Sequence, residues 1–404
     1  MPYSKIFLKP GKEAAVKRFH PWIFSGAVDR AEGNPKEGDI VEIRSNRNEF
    51  LAFGHFTPGN IVVKIFEFQP TTIDENYWIS RLKQSFSLRT RLGLTNHPQT
   101  NAYRLVFTEG DGLPGLVIDY YNGVAVFQTH TQGMHLLKPI FVKALQKIYG
   151  SSLKAIYDKS GETMKSFQSG KKSPQNQPSG DYTDHYLMGT SQVGEILETG
   201  QRFMVDWEHG QKTGFFLDQR ANRMFAQFYA KDKKVLNVFC YSGAFSVFAL
   251  QGGASLVHSV DSSQRAIDWT EENIRLNGFV PDRHQSYVAD AKKWLTEVTE
   301  KYDMIILDPP AFAKTHIVTN NALHAYIHIN AQALKRLTPG GLLFTFSCSQ
   351  AISHDMFQSA LMSAALETGR KVKILHRLSQ GPDHPVSIYH PEGEYLKGLI
   401  LEVE

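Results

Sequence analysis

The segment that decides the fold is Met304-Ile305-Ile306-Leu307-Asp308-Pro309-Pro310-Ala311-Phe312. Its apolar run is typical of a buried parallel strand, and the two prolines end that strand because neither carries a backbone N–H. A carboxylate at the carboxyl end of such a strand faces the crevice where open α/β sheets bind ligands. Asp308 and the stiff turn that presents Phe312 therefore predict a site for a flat polar group such as a nucleobase. An ordinary proline-rich turn explains these residues equally well when they are taken alone.

From about residue 190 onward, apolar strands alternate with helical segments of about ten to fifteen residues. The predicted strands are 234–239, 256–261, 286–289, 302–307 and 342–347. Alternation of this kind indicates a parallel sheet with helices on both faces. We therefore expect a Rossmann-like α/β domain over residues 191–404.

Three successive strands of this domain end in an acidic residue, namely Asp261, Asp290 and Asp308. The first strand instead leads into residues 240–244, where Gly243 allows a ligand to approach the backbone closely. The set favours a nucleoside, with Asp261 on the ribose hydroxyls and Asp290 on an adenine amino group. Each carboxylate is also compatible with a helix N-cap. The turn lacks the further glycines of a dinucleotide site and the Gly-Lys-Ser/Thr of a phosphate loop, which weakens NAD and ATP as ligands.

The N-terminal part of the chain has a different pattern. Residues 1–70 predict short strands joined by turns, and a small β-barrel fits them. Basic and aromatic residues are interleaved near its start in a way that suits RNA: Lys17, Arg18, His20, Trp22 and Phe24. Composition alone favours the alternative of core aromatics beside a solvated basic face. Residues 71–190 predict a mixed α+β segment with a helix over 136–149 and a mobile polar loop over 166–184.

Chain length, composition and net charge restrict the class of protein. The chain has 404 residues, a net charge of +4, 42% hydrophobic residues and two cysteines. Two or three domains are expected, and the charge permits an anionic partner such as RNA. No apolar run reaches the length of a membrane helix, and the first residues lack the apolar region of a signal peptide. We expect a cytoplasmic protein with no membrane partner and no metal.

The order of these features resembles a class I S-adenosylmethionine methyltransferase. It is similar in detail to the RlmI-like family of PUA-domain-containing 23S ribosomal RNA cytosine-5 methyltransferases. The residues that carry the resemblance are 210–220, 237–244, 308–312, 346–349 and 394–399, and residues 8–12 and 20–27 resemble the family's PUA domain. The resemblance therefore spans nearly the whole chain.

The resemblance implies a PUA-like RNA-binding domain over 1–70, a middle α+β domain over 71–190 and a methyltransferase domain over 191–404. It implies S-adenosylmethionine as cofactor and large-subunit ribosomal RNA as partner, with monomer and homodimer both open. The implied cofactor-binding residues are Phe216, Asp218, Arg220, Phe239, Tyr241, Gly243, Asp261, Ser262, Asp290, Ala291 and Asp308. The implied substrate or RNA contacts are Lys17, Arg18, Trp22, Pro309, Pro310, Phe312 and Lys397. The polar loop over 166–184 departs from the family because it is longer and more polar than usual.

Cys348, directly after the last predicted strand, is the candidate nucleophile. Carbon 5 of a cytosine becomes nucleophilic only when a thiolate adds to carbon 6. Asp308 would then hydrogen-bond or protonate the ring N3 and amino group. A buried apolar cysteine is the alternative that the sequence alone favours. Related guanine-N7 enzymes carry asparagine at this position, so the resemblance favours cytosine.

Two other functions stay open at this point. One is a ribosomal RNA guanine methyltransferase. The other is an RNA-binding ribosome-assembly factor that keeps a vestigial cofactor pocket.

Overall fold

The computed structural model describes residues 3–169, 182–190, 194–312 and 319–404. The chain forms two compact units. Unit 1 comprises Met1–Ile196, Val205–Phe215 and Pro382–Gly393, and unit 2 comprises Leu197–Met204, Phe216–Gly381 and Glu394–Glu404. Each unit therefore includes segments that lie far apart in the sequence.

The first sheet of unit 1 is built from the N-terminal residues. Its elements are β1 Ser4–Leu8, α1 Ala14–Lys17, β2 Trp22–Phe24, β3 Val28–Glu32, β4 Ile40–Arg44, β5 Phe50–Phe56 and β6 Ile61–Glu67. The strand order is β2-β6-β5-β4-β1-β3. In β4, Val41 and Ile43 are fully buried while the residues between and beside them are partly exposed. This period of two is what a strand with one buried face requires.

The second sheet of unit 1 follows along the chain. Its elements are α2 Glu75–Arg91, β7 Ala102–Phe107, β8 Leu116–Tyr121, β9 Val124–Thr129, α3 Gln132–Leu136, α4 Lys138–Tyr149, β10 Ala155–Asp158, α5 Gly161–Ser169 and β11 His185–Met188. The strand order is β11-β10-β9-β8-β7. The β8–β9 hairpin turns at Asn122-Gly123, both at positive φ as a tight two-residue turn requires.

The two sheets of unit 1 share a hydrophobic core. Phe53 and Phe66 of the first sheet lie in one buried cluster with Trp78 of α2. The His55 ring also stacks on Trp78, with ring centroids 5.6 Å apart. The predicted border near residue 70 therefore divides two segments that pack as one unit, because aromatic side chains from both sides of it pack together.

Two local predictions in this region differ from the structure. The helix predicted over 136–149 begins two residues later, as α4 at Lys138 just before Pro139, and Leu137 separates it from the short helix α3. A proline lacks the N–H of a helix interior but is tolerated in the first turn, so α4 begins there. The start of the loop predicted over 166–184 is the end of α5. Residues 170–181 of that loop lie outside the described residues.

Unit 2 contains the alternating part of the chain. Its elements follow the hairpin β12 Gly194–Glu198 and β13 Gln201–Val205, whose residues are divided between the two units. They are α6 Arg220–Tyr229, β14 Lys234–Val238, α7 Ala244–Gln251, β15 Leu256–Asp261, α8 Gln264–Leu276, β16 His284–Val288, α9 Ala291–Glu297, β17 Tyr302–Leu307, α10 Thr319–Arg336, β18 Leu337–Ser347, α11 His354–Thr368, β19 Val372–Leu378 and β20 Lys397–Val403. The seven-stranded sheet has the order β16-β15-β14-β17-β18-β20-β19. Strands β14 to β18 pair in parallel, while β20 is antiparallel to β18 and β19.

The strand order fixes where a ligand site is expected in unit 2. From β14 the chain winds outward through β15 to β16, and it then returns to the other side of β14 to form β17. The carboxyl ends of β14 and β17 therefore flank a topological switch point, which is where open α/β sheets bind ligands. The predicted third strand is shifted, because β16 begins at His284 and ends at Val288.

No helix within the described ranges is long and apolar enough to cross a membrane.

Candidate active site

Three neighbouring strands of unit 2 deliver chemical groups to one edge of the sheet. Val238 of β14 and Thr345 of β18 both pair with Leu307 of β17. Asp308 directly follows β17, and Cys348 directly follows β18. Because the strands are parallel and in register, the turn after β14, the carboxylate and the thiol all lie at the switch point.

The turn after β14 has a strained backbone. Phe239 and Tyr241 have φ of 62° and 48°, a region that bulky residues rarely adopt. Each such residue costs on the order of 1–3 kcal/mol, and strain of this kind is concentrated at functional sites. The turn passes into α7 at Gly243, whose φ is 72°. A Cβ at this position would lie 2.6 Å from Cγ2 of Thr270, so the position requires glycine.

Hydrogen bonds hold this turn in place. The Tyr241 N–H donates to Oδ2 of Asp261 over 3.0 Å, and the Thr270 hydroxyl donates to the Tyr241 carbonyl over 2.9 Å. The Asn273 amide donates to the Ser242 carbonyl over 2.8 Å. Donors and acceptors on β15 and α8 thus fix a backbone shape that the turn would not adopt alone.

Two of the predicted acidic residues, Asp261 and Asp290, have local structural roles. Oδ1 of Asp261 accepts from the Ser263 N–H at 3.0 Å, so both of its oxygens bind backbone. A carboxylate has about four acceptor sites, which leaves room for ribose hydroxyls. Asp290 is exposed and caps α9 by accepting from the Lys293 N–H at 2.9 Å. The N-cap alternative is therefore present at Asp290, with Ala291 buried behind it.

A pair of carboxylates is the main electrostatic feature of the site. Asp218 is 8% exposed, and its Oδ2 accepts a hydrogen bond from the Tyr395 hydroxyl. Among the described residues its Oδ1 has no hydrogen-bond partner. Oδ2 of Asp308 accepts from the Gln219 side-chain amide at 2.9 Å. Burial and the negative charge of Asp218 raise the pKa of Asp308 to about 7, while Gln219 and the Arg223 guanidinium act in the opposite direction.

The arginines near this pair bind a buried acid instead. Nε of Arg223 donates to Oε1 of Glu198 over 2.7 Å, and Nε of Arg220 lies 3.4 Å from Oε2 of the same carboxylate. Arg223 also donates to the Phe216 carbonyl at 3.0 Å. Arg220 therefore fixes the start of α6 through Glu198, a residue that no motif in the sequence singles out.

Aromatic rings line the same region. The Phe216 and Tyr241 rings meet edge-on with centroids 5.2 Å apart, and the Tyr241 ring meets Trp269 at 5.6 Å. Ser262 is exposed at the end of β15. Partly buried aromatic walls beside polar strand ends are a common composition for small-molecule sites.

Cys348 lies beside Asp308 and its turn. The thiol Sγ is 3.9 Å from the carbonyl oxygen of Pro309. Burial and the carboxylates of Asp308 and Asp218 raise the pKa of Cys348 to about 11, and Lys397 lowers it. Lys397 is 2% exposed, so the structure places this predicted substrate contact inside the protein.

The remaining predicted RNA contacts fall into two groups. Pro309 is buried and Pro310 is exposed, while the partly buried Phe312 packs on Tyr326 with ring centroids 4.8 Å apart. Lys17, Arg18 and Trp22 belong to unit 1. There, Lys17 and Arg18 are exposed near the end of α1, and the half-buried Trp22 donates its indole N–H to Glu109 over 2.8 Å.

The fold and this site define a class of protein. The family model described as S-adenosylmethionine-dependent methyltransferase matches residues 169–397, and a model for a PUA-like domain matches residues 6–68. The protein is therefore a methyltransferase that uses S-adenosylmethionine.

Curated relatives give the particular family. Ribosomal RNA large subunit methyltransferase I of Aeromonas hydrophila is 38% identical over 406 residues, covering 98% of this chain and 99% of the relative. The protein of the same name from Escherichia coli is 36% identical over 404 residues, covering 99% of each chain. This chain belongs to the ribosomal RNA large subunit methyltransferase I family. The predicted family, enzyme class, fold class and cofactor are confirmed.

A solved structure shares the fold. A Streptococcus mutans protein assigned as a SAM-dependent methyltransferase has a TM-score of 0.82 at 23% identity, covering 98% of this chain and 99% of its own. Another structure with the same TM-score was solved as a complex with SAH. At this identity the likeness supports the fold alone.

Proposed function

We propose that this protein methylates carbon 5 of a cytosine in large-subunit ribosomal RNA through a covalent adduct between Cys348 and carbon 6. The observation that carries the proposal is the thiol of Cys348 and the carboxylate of Asp308 at adjacent strand ends, with Sγ 3.9 Å from the carbonyl of Pro309. The relatives' name supplies the RNA class. A nucleophile next to an acid is the pair that addition to a pyrimidine ring needs.

The residues present fit S-adenosylmethionine. The Oδ1 of Asp218 lacks a hydrogen-bond partner among the described residues, and a buried carboxylate oxygen in that state is costly unless a ligand donates to it. In our proposal Asp218 holds the cationic amino group, Asp308 lies between that group and the target base, and Phe216, Phe239 and Tyr241 line the methionine and ribose region. Arg220 supports these aromatic residues indirectly, because its ion pair with Glu198 fixes the start of α6. Asp261, Ser262 and Gly243 bind the ribose, and Asp290 and Ala291 lie against the adenine.

Cys348 and Asp308 divide the chemistry between them. Sγ of Cys348 adds to carbon 6 of the base, and the displaced ring electrons move towards N3. Asp308, with a pKa of about 7, is about half protonated at neutral pH and donates to N3 as this charge develops. When bound, S-adenosylmethionine supplies an electrophilic methyl group, which carbon 5 takes. Asp308 recovers the N3 proton, carbon 5 loses its proton to solvent, and Sγ leaves.

RNA binding completes the proposal. Lys17, Arg18 and Trp22 of the PUA-like domain contact the RNA, and Pro309, Pro310 and Phe312 shape the floor beneath the target base. A cytoplasmic location follows from the substrate. A homodimer stays a prediction, which light scattering of the purified protein tests.

The direct test uses purified protein, labelled S-adenosylmethionine and ribosomal RNA from a strain that lacks this gene. The RNA is digested to nucleosides, and the labelled nucleoside is identified. We expect label in 5-methylcytidine. Label in a methylated guanosine would replace the cytosine proposal by its nearest alternative, and bound cofactor without any transfer would favour an assembly factor.

A further inference from the structure

The feature that carries a further inference is the position of Lys397 beside Cys348. Lys397 is the first residue of β20 and pairs across the sheet with Ser347 of β18. Its Nζ donates to the carbonyl oxygen of Ser349 at 2.7 Å. Both residues that flank Cys348 therefore contact Lys397. Ser347 pairs with the Lys397 backbone, and the Ser349 carbonyl accepts from the Lys397 side chain.

The amine of Lys397 is in an unusual environment for a lysine. It is 2% exposed, and lysine is almost never buried to this degree without a partner. Its hydrogen bond to a neutral carbonyl compensates only part of the lost hydration. Burial lowers the pKa of Lys397 to about 8, against the opposing effects of Cys348 and Glu394. About a tenth of such amines are neutral at pH 7 and are able to accept a proton.

The surroundings of Cys348 require such an acceptor. With a pKa of about 11, the thiol is ionised in only about one molecule in ten thousand at pH 7. Asp308 and Asp218 oppose ionisation by their negative charge, so neither carboxylate stabilises the thiolate. Burial raises the pKa of Tyr326, whose hydroxyl shares a hydrogen bond with Ser349, so it stays a neutral phenol.

We propose that Lys397 takes the thiol proton of Cys348, holds it beside the thiolate and returns it when the thiolate leaves. This inference rests on the proposed cytosine-5 reaction. In this proposal Lys397 acts on the reacting sulfur first as a general base and then as a general acid.

The proton and electron balance of this step is complete. The S–H bond breaks, its proton forms a new N–H bond on the neutral amine, and the sulfur electron pair forms the bond to carbon 6. When that bond breaks at the end of the reaction, sulfur keeps the electron pair and takes the proton back from the ammonium group. The proton that carbon 5 loses is the one released to solvent, so Lys397 ends each turnover as it began.

The first test measures the thiol without RNA. Iodoacetamide alkylation of Cys348 in the full chain is followed from pH 6 to 10 by peptide mass spectrometry, which separates it from Cys240. In Lys397→Met the rate at pH 8 should fall about tenfold, because a loss of one pKa unit of thiolate stabilisation is a factor of ten. Lys373→Met is the matched control, since this lysine of β19 is exposed and pairs with Glu404 at 2.6 Å. An unchanged alkylation profile in Lys397→Met would overturn the inference.

The second test separates proton transfer from charge. Lys397→Arg keeps the positive charge but cannot give up a proton. Its thiol should therefore alkylate at least as fast as in the wild type, whereas kcat falls about a hundredfold, within the range expected for general acid–base catalysis. The Kd for S-adenosylmethionine, measured by calorimetry, should change less than about twofold in both variants. If Lys397→Arg retains wild-type kcat, charge alone suffices and proton transfer is refuted; this comparison stands even if Lys397→Met fails to fold.

Failure of this inference is distinguishable from failure of the proposed function. Active Cys348→Ala enzyme would remove the covalent adduct whatever Lys397 does. Alkylation of the wild-type thiol reports the coupling between Lys397 and Cys348 without any turnover. An unchanged alkylation profile together with inactive Cys348→Ala would leave the adduct in place and remove only the role of Lys397.

Discussion

Replacing Asp308 by asparagine should stabilise unit 2 while it abolishes activity. The folded pKa of Asp308 is about 7, against an ordinary value of 3.8. A raised pKa means that the neutral form is favoured on folding, so the stability of the wild type is lost progressively as the pH rises from 3.8 through 7. At about 1.4 kcal/mol per pKa unit, the ionised carboxylate costs about 4 kcal/mol at pH 8 and about 1.7 kcal/mol at pH 5. Halving these values for solvent screening, because Asp308 is partly exposed, gives about 2 and about 1 kcal/mol.

The side chain introduced by Asp308→Asn keeps an oxygen that accepts from Gln219 but carries no charge, so it avoids this cost. Scanning calorimetry measures the effect on the transition that S-adenosylhomocysteine shifts, which assigns that transition to unit 2. A gain of about 2 kcal/mol at pH 8 corresponds to a rise of about 4–8 °C in Tm, with roughly half that gain at pH 5. Asp268→Asn, on the exposed face of α8, is the control for loss of one carboxylate. The reasoning is refuted if Asp308→Asn is no more stable than the wild type at pH 8, or if its gain does not grow with pH.

Three further substitutions change the same site, and one pH effect concerns unit 1. Cys348→Ala should lose methyl transfer while calorimetry shows a Kd for S-adenosylmethionine within about twofold of wild type; residual 5-methylcytidine would exclude the adduct. Asp218→Asn should weaken cofactor binding about tenfold, because in our proposal this carboxylate holds the cationic amino group. It should also speed alkylation of Cys348, because the charge of Asp218 raises the pKa of the thiol; weaker binding together with slower alkylation would contradict this. Gly243→Ala should lower the unfolding free energy of unit 2 by about 2 kcal/mol, because its φ is 72° and the new Cβ would meet Thr270; an unchanged Tm would show that the turn relaxes. Burial lowers the pKa of His55 to about 3, so the neutral ring stabilises the folded state fully above pH 6.5. Below that pH the free energy of unfolding of unit 1 should fall by about 1.4 kcal/mol per pH unit, which urea unfolding from pH 7 to 4 will measure.

The sequence predicted the strand ends of unit 2 because their pattern is local. An apolar run, an acid and two prolines identify the end of β17 without any tertiary information, and Cys348 follows a similar run. Parallel pairing then brings both groups to one edge. Asp290 shows the limit of this reasoning, since β16 ends at Val288 and Asp290 is the N-cap of α9.

What the sequence could not predict depends on contacts between distant residues. Glu198 binds Arg223, Tyr395 binds Asp218, and no spacing rule relates residues so far apart. The resemblance implies that Lys397 contacts substrate or RNA, and nothing in the sequence predicts its burial, because lysine is almost never fully buried. Only the antiparallel pairing of β20 with β18 buries it next to Cys348.

The carboxylates that suit a cationic cofactor make the thiol of Cys348, the proposed nucleophile, harder to ionise. Asp218 and Asp308 both raise the pKa of Cys348, so a site with only these charges would bind the cofactor and hold an inert thiol. In the reaction we propose, a buried amine whose pKa is about 8 offsets this effect, because part of it is neutral and takes the thiol proton, and it is positively charged once it has done so. An arginine, which is permanently charged, would stabilise the thiolate but would not accept the thiol proton. Lysine at position 397 therefore suits this arrangement of charges in the proposed reaction, in which its burial lowers the pKa of the amine.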